Sequence, residues 1–407
     1  MTPEERKQQR LARQQQRRKQ QRGKILRISF GIVLPLLALA LALIFLLPHL
    51  ELPGATQPTD GITEETTVIH LAAAGDLNIN ETVVNAGGVG RDYTKALMDV
   101  AHLFAQADVS MLNFEGNFYG APYGSDRSAP QELAQALSAA GVDLLQLANS
   151  YSIYKGMDGL RSTIDAVRLA GMTPVGVYGT KQQAQAGKGY TLCNIQGVKI
   201  AFVAFTKGMD GMALPPGNEG CVNLLYTDYS TDYRKVDTKG ITKVLEAAAR
   251  EQPDLTVALV HWGSEFNDNV SDTQKEITKL MQSKGVDAII GTHSHYVQKI
   301  DFDRSTGQLV AYSLGDFMSD AQRAGSEYSV VLDLEITKNN ITGETKVTNY
   351  RYTPIFSLNE PDRPLRVVRI KEAMKAYEEN YIERISKESY DAMAYALTRI
   401  EARVNGK

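Results

Sequence analysis

Seven polar side chains in this sequence share one setting. Asp76, Asn113, Glu115, Asn149, His261, His293 and His295 each stand just past a short apolar run. In open α/β sheets the carboxyl ends of the strands form the edge where ligands bind. Two carboxylates, an amide oxygen and three imidazoles are the ligand mix that holds one or two divalent transition ions. A carboxylate shared between two ions ~3.5–4 Å apart would let them clamp a phosphoryl group and activate a water. Taken singly, each residue has a plainer reading: Gly75-Asp76 is a common turn or cap pair, and His261 beside Trp262 fits a core histidine. The His293 and His295 pair is sharper, because alternate histidines on a strand or turn tend to converge. The joint pattern carries the inference, since His261, His293 and His295 lie at strand ends while His49, His70 and His102 do not.

The elements that must position these residues alternate between apolar runs and helical spacing. Strands are predicted over Val68 to Ala74, Val109 to Asn113, Asp143 to Leu147, Pro174 to Val177, Val198 to Phe205, Leu255 to Val260 and Ala288 to Ile290. Helices are predicted over Tyr93 to Ala107, Pro130 to Ala140, Met157 to Ala170, Val236 to Arg250 and Asp272 to Lys284. Strand-rich segments follow near 297–302, 309–314, 328–337 and 346–356, and from about residue 364 the pattern turns helical. Alternating strands and helices predict a layered α/β fold with extra strands closing the C-terminal half.

The 407 residues carry a net charge of -3, which hides an asymmetry. Residues 1–27 hold ten basic side chains against Glu4 and Glu5, and the remainder of the chain is left at -11. That balance excludes a broad basic face for nucleic acid on the large domain. From Ile28 to Leu47 no residue is charged, and at ~1.5 Å per residue such a helix spans a bilayer core. The run is longer than the ~7–15 residues of a signal-peptide core, and bulky Leu46-Leu47-Pro48 offers no cleavage site. The basic block ahead of it places the N-terminus in the cytoplasm and the bulk of the chain outside. The expected organisation is a cytoplasmic segment 1–27, an anchor helix 28–48, a linker 49–66, a main domain 67–357 and a helical tail 358–407. Two cysteines, Cys193 and Cys221, exclude a disulfide-stapled miniprotein, and their pairing is left open.

In order along the chain, Ala74-Gly75-Asp76-Leu77, Leu112-Asn113-Phe114-Glu115, Ala148-Asn149-Ser150-Tyr151, Val260-His261-Trp262-Gly263-Ser264-Glu265-Phe266, Gly291-Thr292-His293-Ser294-His295 and Tyr312-Ser313-Leu314-Gly315-Asp316-Phe317 resemble the motifs of the CapA family. These are capsule-synthesis proteins of bacterial poly-γ-glutamate systems. The resemblance covers about residues 67–320 and implies a calcineurin-like metallophosphoesterase sandwich. It also implies that Asp76, Glu115 and His295 hold one metal, that Glu115, Asn149, His261 and His293 hold a second, and that Glu115 bridges them. The ions would be manganese, iron or zinc, with Asn78, Asn113, Glu265 and Asp316 lining the site. Three departures matter. Tyr151 stands at the general-acid position, where the family has histidine, Tyr154 stands where the same motif has aspartate, and Asp316 stands where asparagine is usual. The resemblance further implies a cell-membrane location and work beside a membrane polymer-synthesis complex on an anionic surface polymer. The alternative is a non-catalytic polymer- or partner-binding module on the same fold.

Overall fold

A computed structural model describes residues 65–321, 323–379 and 385–407. The basic segment, the expected anchor and the linker through residue 64 lie outside these residues. None of the described helices is long and apolar enough to cross a membrane.

The site-bearing half begins with β1 (Thr66–Asn78), a 13-residue strand buried along its C-terminal half. Next come the short helices α1 (Glu81–Asn85), α2 (Thr94–Leu97) and α3 (Ala101–Ala105), then β2 (Val109–Glu115), α4 (Gln131–Ala139), β3 (Leu144–Gln146), α5 (Gly156–Leu169) and β4 (Thr173–Val175). Strands β1 to β4 pair in parallel, as a strand-helix alternation requires. The second half holds α6 (Lys181–Gly187), β5 (Tyr190–Ile195), β6 (Val198–Thr206), α7 (Thr238–Ala249), β7 (Leu255–His261), α8 (Asp272–Ser283) and β8 (Ala288–Thr292). It continues through β9 (Ile300–Asp303), β10 (Gln308–Ala311), β11 (Asp316–Met318), β12 (Tyr328–Asn339), β13 (Thr345–Leu358) and β14 (Arg366–Arg369), and ends in α9 (Ile370–Glu378) and α10 (Lys387–Val404).

Two mixed sheets result. One has the order β14-β13-β12-β1-β2-β3-β4 with β11 alongside β1, and the other β5-β6-β7-β8-β10-β9. Alternation along β6 shows how they stack. Ile200, Phe202 and Ala204 join the large core shared with the first sheet, while Ala201, Val203 and Phe205 join a second core with Ile241 and Leu245 of α7 and Ile277 and Met281 of α8. The molecule is therefore an α/β sandwich, the layered fold expected from the sequence.

Two local expectations differ from the structure. The helix predicted over Tyr93 to Ala107 is split into α2 and α3. Leu103 N–H bonds to the Val100 carbonyl, and the Asp99 carbonyl that would have continued the ladder accepts Arg369 Nε at 3.0 Å instead. Residues 366–369, expected to open the helical tail, form β14 against β13, because Val367 and Val368 fill the core there. The strand β5 and helix α6 carried no clear sequence signal. Met393, Ala396, Ile400 and Val404 of α10 belong to the large core, so the C-terminal helices pack on the same unit as the sheets.

Candidate metal centre

Backbone geometry at the end of β1 builds the site. Ala74 lies opposite Leu112 but Asp76 opposite Asn113, so Gly75 is an extra residue, a bulge that re-aims Asp76. Asp76 N–H also bonds to the Gly315 carbonyl at 3.0 Å, drawing β11 alongside. A Cβ on Gly75 would lie 1.8 Å from that same oxygen, so only glycine fits. Glu115 ends β2, His261 ends β7, and His293 and His295 follow β8. Both of these last histidines have positive φ, 88° and 58°, a conformation that side chains other than glycine seldom adopt. Such strain persists only where surrounding structure enforces it, and it gathers at functional sites.

These turns bring two sets of ligand atoms together. Asp76, Glu115 and His295 form one group, and Glu115, His261 and His293 another, with the atoms of each group within 4.8 Å of one another. Glu115 belongs to both. All five side chains are buried. His261 Nε2 lies 3.0 Å from Glu115 Oε1, and the rings of His261 and His293 sit 4.5 Å apart. Glu115 Oε2 and both ring nitrogens of His293 have no hydrogen-bond partner although they are buried. Orphaned buried polar atoms cost about 1–3 kcal/mol each, so a cluster of them calls for a ligand.

Electrostatics point the same way. Burial and the neighbouring Glu115 carboxylate push Asp76 up to about 7, and burial pushes Glu115 up to about 7. Burial holds His261 down at about 3 and His293 well below the usual imidazole range, so both are neutral, the form that binds metals. His295 differs. Burial alone would lower it, but the charge and hydrogen bond of Asp316, helped by Glu115 and Asp76, push it up to about 10. Buried carboxylates that resist ionisation, beside two neutral imidazoles of which that of His293 is unpaired, fit a divalent cation.

Around this cluster the other expected residues divide. Asn113 donates to Asp76 Oδ1 at 2.6 Å and faces His261 Nδ1 at 3.3 Å. Asp316 takes more than a lining place, since its Oδ1 lies 2.7 Å from His295 Nδ1. Asn78 Nδ2 stands 3.5 Å from the same nitrogen. Asn149 donates to the Asn113 side chain and the Phe114 carbonyl, while its amide oxygen accepts Tyr151 N–H at 3.0 Å. One lone pair of that oxygen is thus already used. Glu265 is exposed and lies outside the buried cluster. Tyr151 is half-buried, and burial together with Glu115 drives its hydroxyl well above the ordinary phenol value.

Three contributors escaped the sequence reading. Thr292 Oγ1 lies 3.0 Å from His261 Nδ1, and Ser150 Oγ lies 3.1 Å from His261 Nε2; both are neighbours in sequence of expected site residues. Arg127 has no such signal. It reaches the site from a loop twelve residues beyond Glu115, donating to Asn78 Oδ1 at 2.6 Å and Tyr151 OH at 2.8 Å.

Comparison with known proteins places this arrangement. Residues 70–321 match the family described as "Bacterial capsule synthesis protein PGA_cap". The "Capsule biosynthesis protein CapA" of Bacillus anthracis is 26% identical over 318 residues, 76% of this chain and 72% of that protein. The "PGA biosynthesis protein CapA" of Bacillus subtilis (strain 168) is 25% identical over 259 residues, 61% of this chain and 63% of that one. Among solved structures, the calcineurin-like phosphoesterase YfkN from Bacillus subtilis aligns with a TM-score of 0.45 at 17% identity, covering 82% of this chain and 99% of that one. The family match runs from within β1 to just past β11, takes in every residue of the buried cluster, and extends over more than half of the sequence; the chain belongs to the bacterial capsule synthesis protein family.

Proposed function

We propose that this chain is a membrane-anchored, outward-facing protein of capsule, poly-γ-glutamate or related surface-polymer biosynthesis, with a dinuclear metal centre of phosphoesterase type. The observation that carries the proposal is the buried cluster in which Glu115 is common to two ligand groups, with an unpartnered carboxylate oxygen and an unpartnered imidazole beside it. Asp76, Glu115 and His295 would hold one ion, and Glu115, Asn149, His261 and His293 the other. Manganese, iron or zinc would suit these nitrogen and oxygen donors.

Such ions supply Lewis-acid stabilisation of charge developing on a phosphoryl oxygen. The chain's own groups do the positioning. Thr292 Oγ1 fixes the His261 ring through Nδ1, and Asp316 fixes His295. Tyr151 stays protonated through the neutral range, so it donates a hydrogen bond to a bound group and is a weak acid toward a leaving group. That property favours a second reading, a site that binds an anionic polymer or partner without turning it over. The sequence supports the placement at the membrane: an uncharged run over Ile28 to Leu47 preceded by a strongly basic block.

Elemental analysis of the purified full chain, beside His293→Ala and Glu115→Ala, tests the centre. Two equivalents of a transition metal are expected in the parent, fewer in His293→Ala and none in Glu115→Ala. Folded parent protein that takes up no manganese, iron or zinc would refute it. Turnover of an aryl phosphate by the metal-loaded parent then separates the phosphoesterase from the binding module.

A further inference from the structure

Arg127 is delivered to the site by a strained and pinned loop. Asp126 and Arg127 are successive left-handed residues, with φ of 51° and 56°. For residues other than glycine that conformation costs about 1–2 kcal/mol each, so the fold must enforce it. The buried Asn117 does so. Its Nδ2 donates to the Asp126 carbonyl at 2.9 Å and the Arg127 carbonyl at 3.0 Å, while its own N–H bonds to the Arg127 carbonyl at 2.8 Å.

The guanidinium held this way is oddly partnered. Nη1 donates to Asn78 Oδ1 at 2.6 Å and the Ile79 carbonyl at 3.2 Å, Nη2 donates to Tyr151 OH at 2.8 Å, and the group lies 4.3 Å from the Tyr151 ring centroid. Every one of these partners is neutral. Among the described residues no carboxylate pairs with Arg127. A guanidinium offers five donors in a fixed fork, and among the described residues its Nε–H and one Nη2–H have no acceptor. The Tyr151 hydroxyl accepts from Arg127, which leaves its own proton free to donate. Through Asn78, whose Nδ2 lies 3.5 Å from His295 Nδ1, the guanidinium stands one side chain away from the buried cluster.

We infer that Arg127, braced by Tyr151 and Asn78, is the oxyanion-binding arm of the site and grips non-bridging oxygens of a phosphoryl group presented to the metal cluster. This rests on the metal centre proposed above. A planar fork with two free N–H groups matches a tetrahedral oxyanion in a bidentate way that a point charge does not.

Calorimetric titration of inorganic phosphate into the manganese-loaded full chain tests the inference, with metal content measured on each sample. For Arg127→Gln the expected result is unchanged metal content and phosphate binding weakened about tenfold to a hundredfold. Arg127→Lys restores part of the affinity, because it returns the charge without the fork. Tyr151→Phe costs a smaller, several-fold loss. The parent's affinity falls with added salt more steeply than that of Arg127→Gln, a difference that a purely structural role would not produce. Metal-loaded parent that ignores phosphate, or Arg127→Gln and Arg127→Lys that both bind it as the parent does, would overturn the inference and leave the metal centre standing. Parent protein without metal would instead overturn the metal centre itself.

Discussion

Asp316 and His295 form the residue pair in the cluster with the clearest pH signature. In the metal-free protein His295 is raised to about 10, against an ordinary value near 6.5, chiefly by the 2.7 Å contact with Asp316 that overcomes its burial. A histidine held above its unfolded value contributes stability that is complete below about pH 6.5 and is lost as pH rises toward and through about 10. His261, held down at about 3, has the opposite sign, but its contribution is complete by about pH 6.5 and does not change beyond it. Above neutrality, therefore, His295 dominates what the cluster contributes to the slope. Asp316→Asn removes its main partner and is expected to flatten the decline of melting temperature between pH 7 and pH 10 in chelator-treated protein. Parallel curves for parent and variant would show that the pair does not set the slope. Asp316 was legible in the sequence only as a lining residue, because its distance to His295 depends on β11 joining β1.

At the scale of elements, what the sequence revealed and what it hid divide along contact range. Strand ends were legible, since an apolar run followed by aspartate, glutamate or histidine is written locally. The splitting of α2 from α3 was not, because it depends on Arg369, far along the chain, taking the Asp99 carbonyl. Arg127 was hidden for the same reason: a loop residue is identified only by what it reaches. The bulge at Gly75 stands between these cases. A glycine before an aspartate was visible, but the need for glycine comes from the Gly315 carbonyl across the sheet. Gly75→Ala forces β1 and the segment before β11 apart, and overpacking of this kind costs about 1–3 kcal/mol. Because Asp76 follows directly, the variant is expected to lose metal as well as stability. Denaturant unfolding and elemental analysis on one preparation check both, and a stable variant with full metal content would mean that the strands part without disturbing Asp76.

Across the whole molecule, the two sheets contribute unequally to the centre. The first sheet supplies Asp76 and Glu115 from β1 and β2, and the second supplies His261 from β7 and His293 and His295 from the turn that follows β8. Each of the two ligand groups draws on both sheets, so a bound metal acts as a cross-link through the sandwich. Anything that binds only the folded state stabilises it by mass action, about 2.7 kcal/mol at a hundred times the dissociation constant. In the metal-free fold Asp76 and Glu115 hold their protons up to about pH 7, and a cation must displace those protons to bind. Manganese is therefore expected to raise the melting temperature by several degrees at pH 8 and by much less at pH 6, with no rise at either pH for Glu115→Ala. Melting curves with manganese and with chelator at the two pH values decide this. An equal rise at pH 6 and pH 8 would mean that the ion binds away from these carboxylates. A rise that survives in Glu115→Ala would mean that the sheets are bridged without the residue common to both ligand groups.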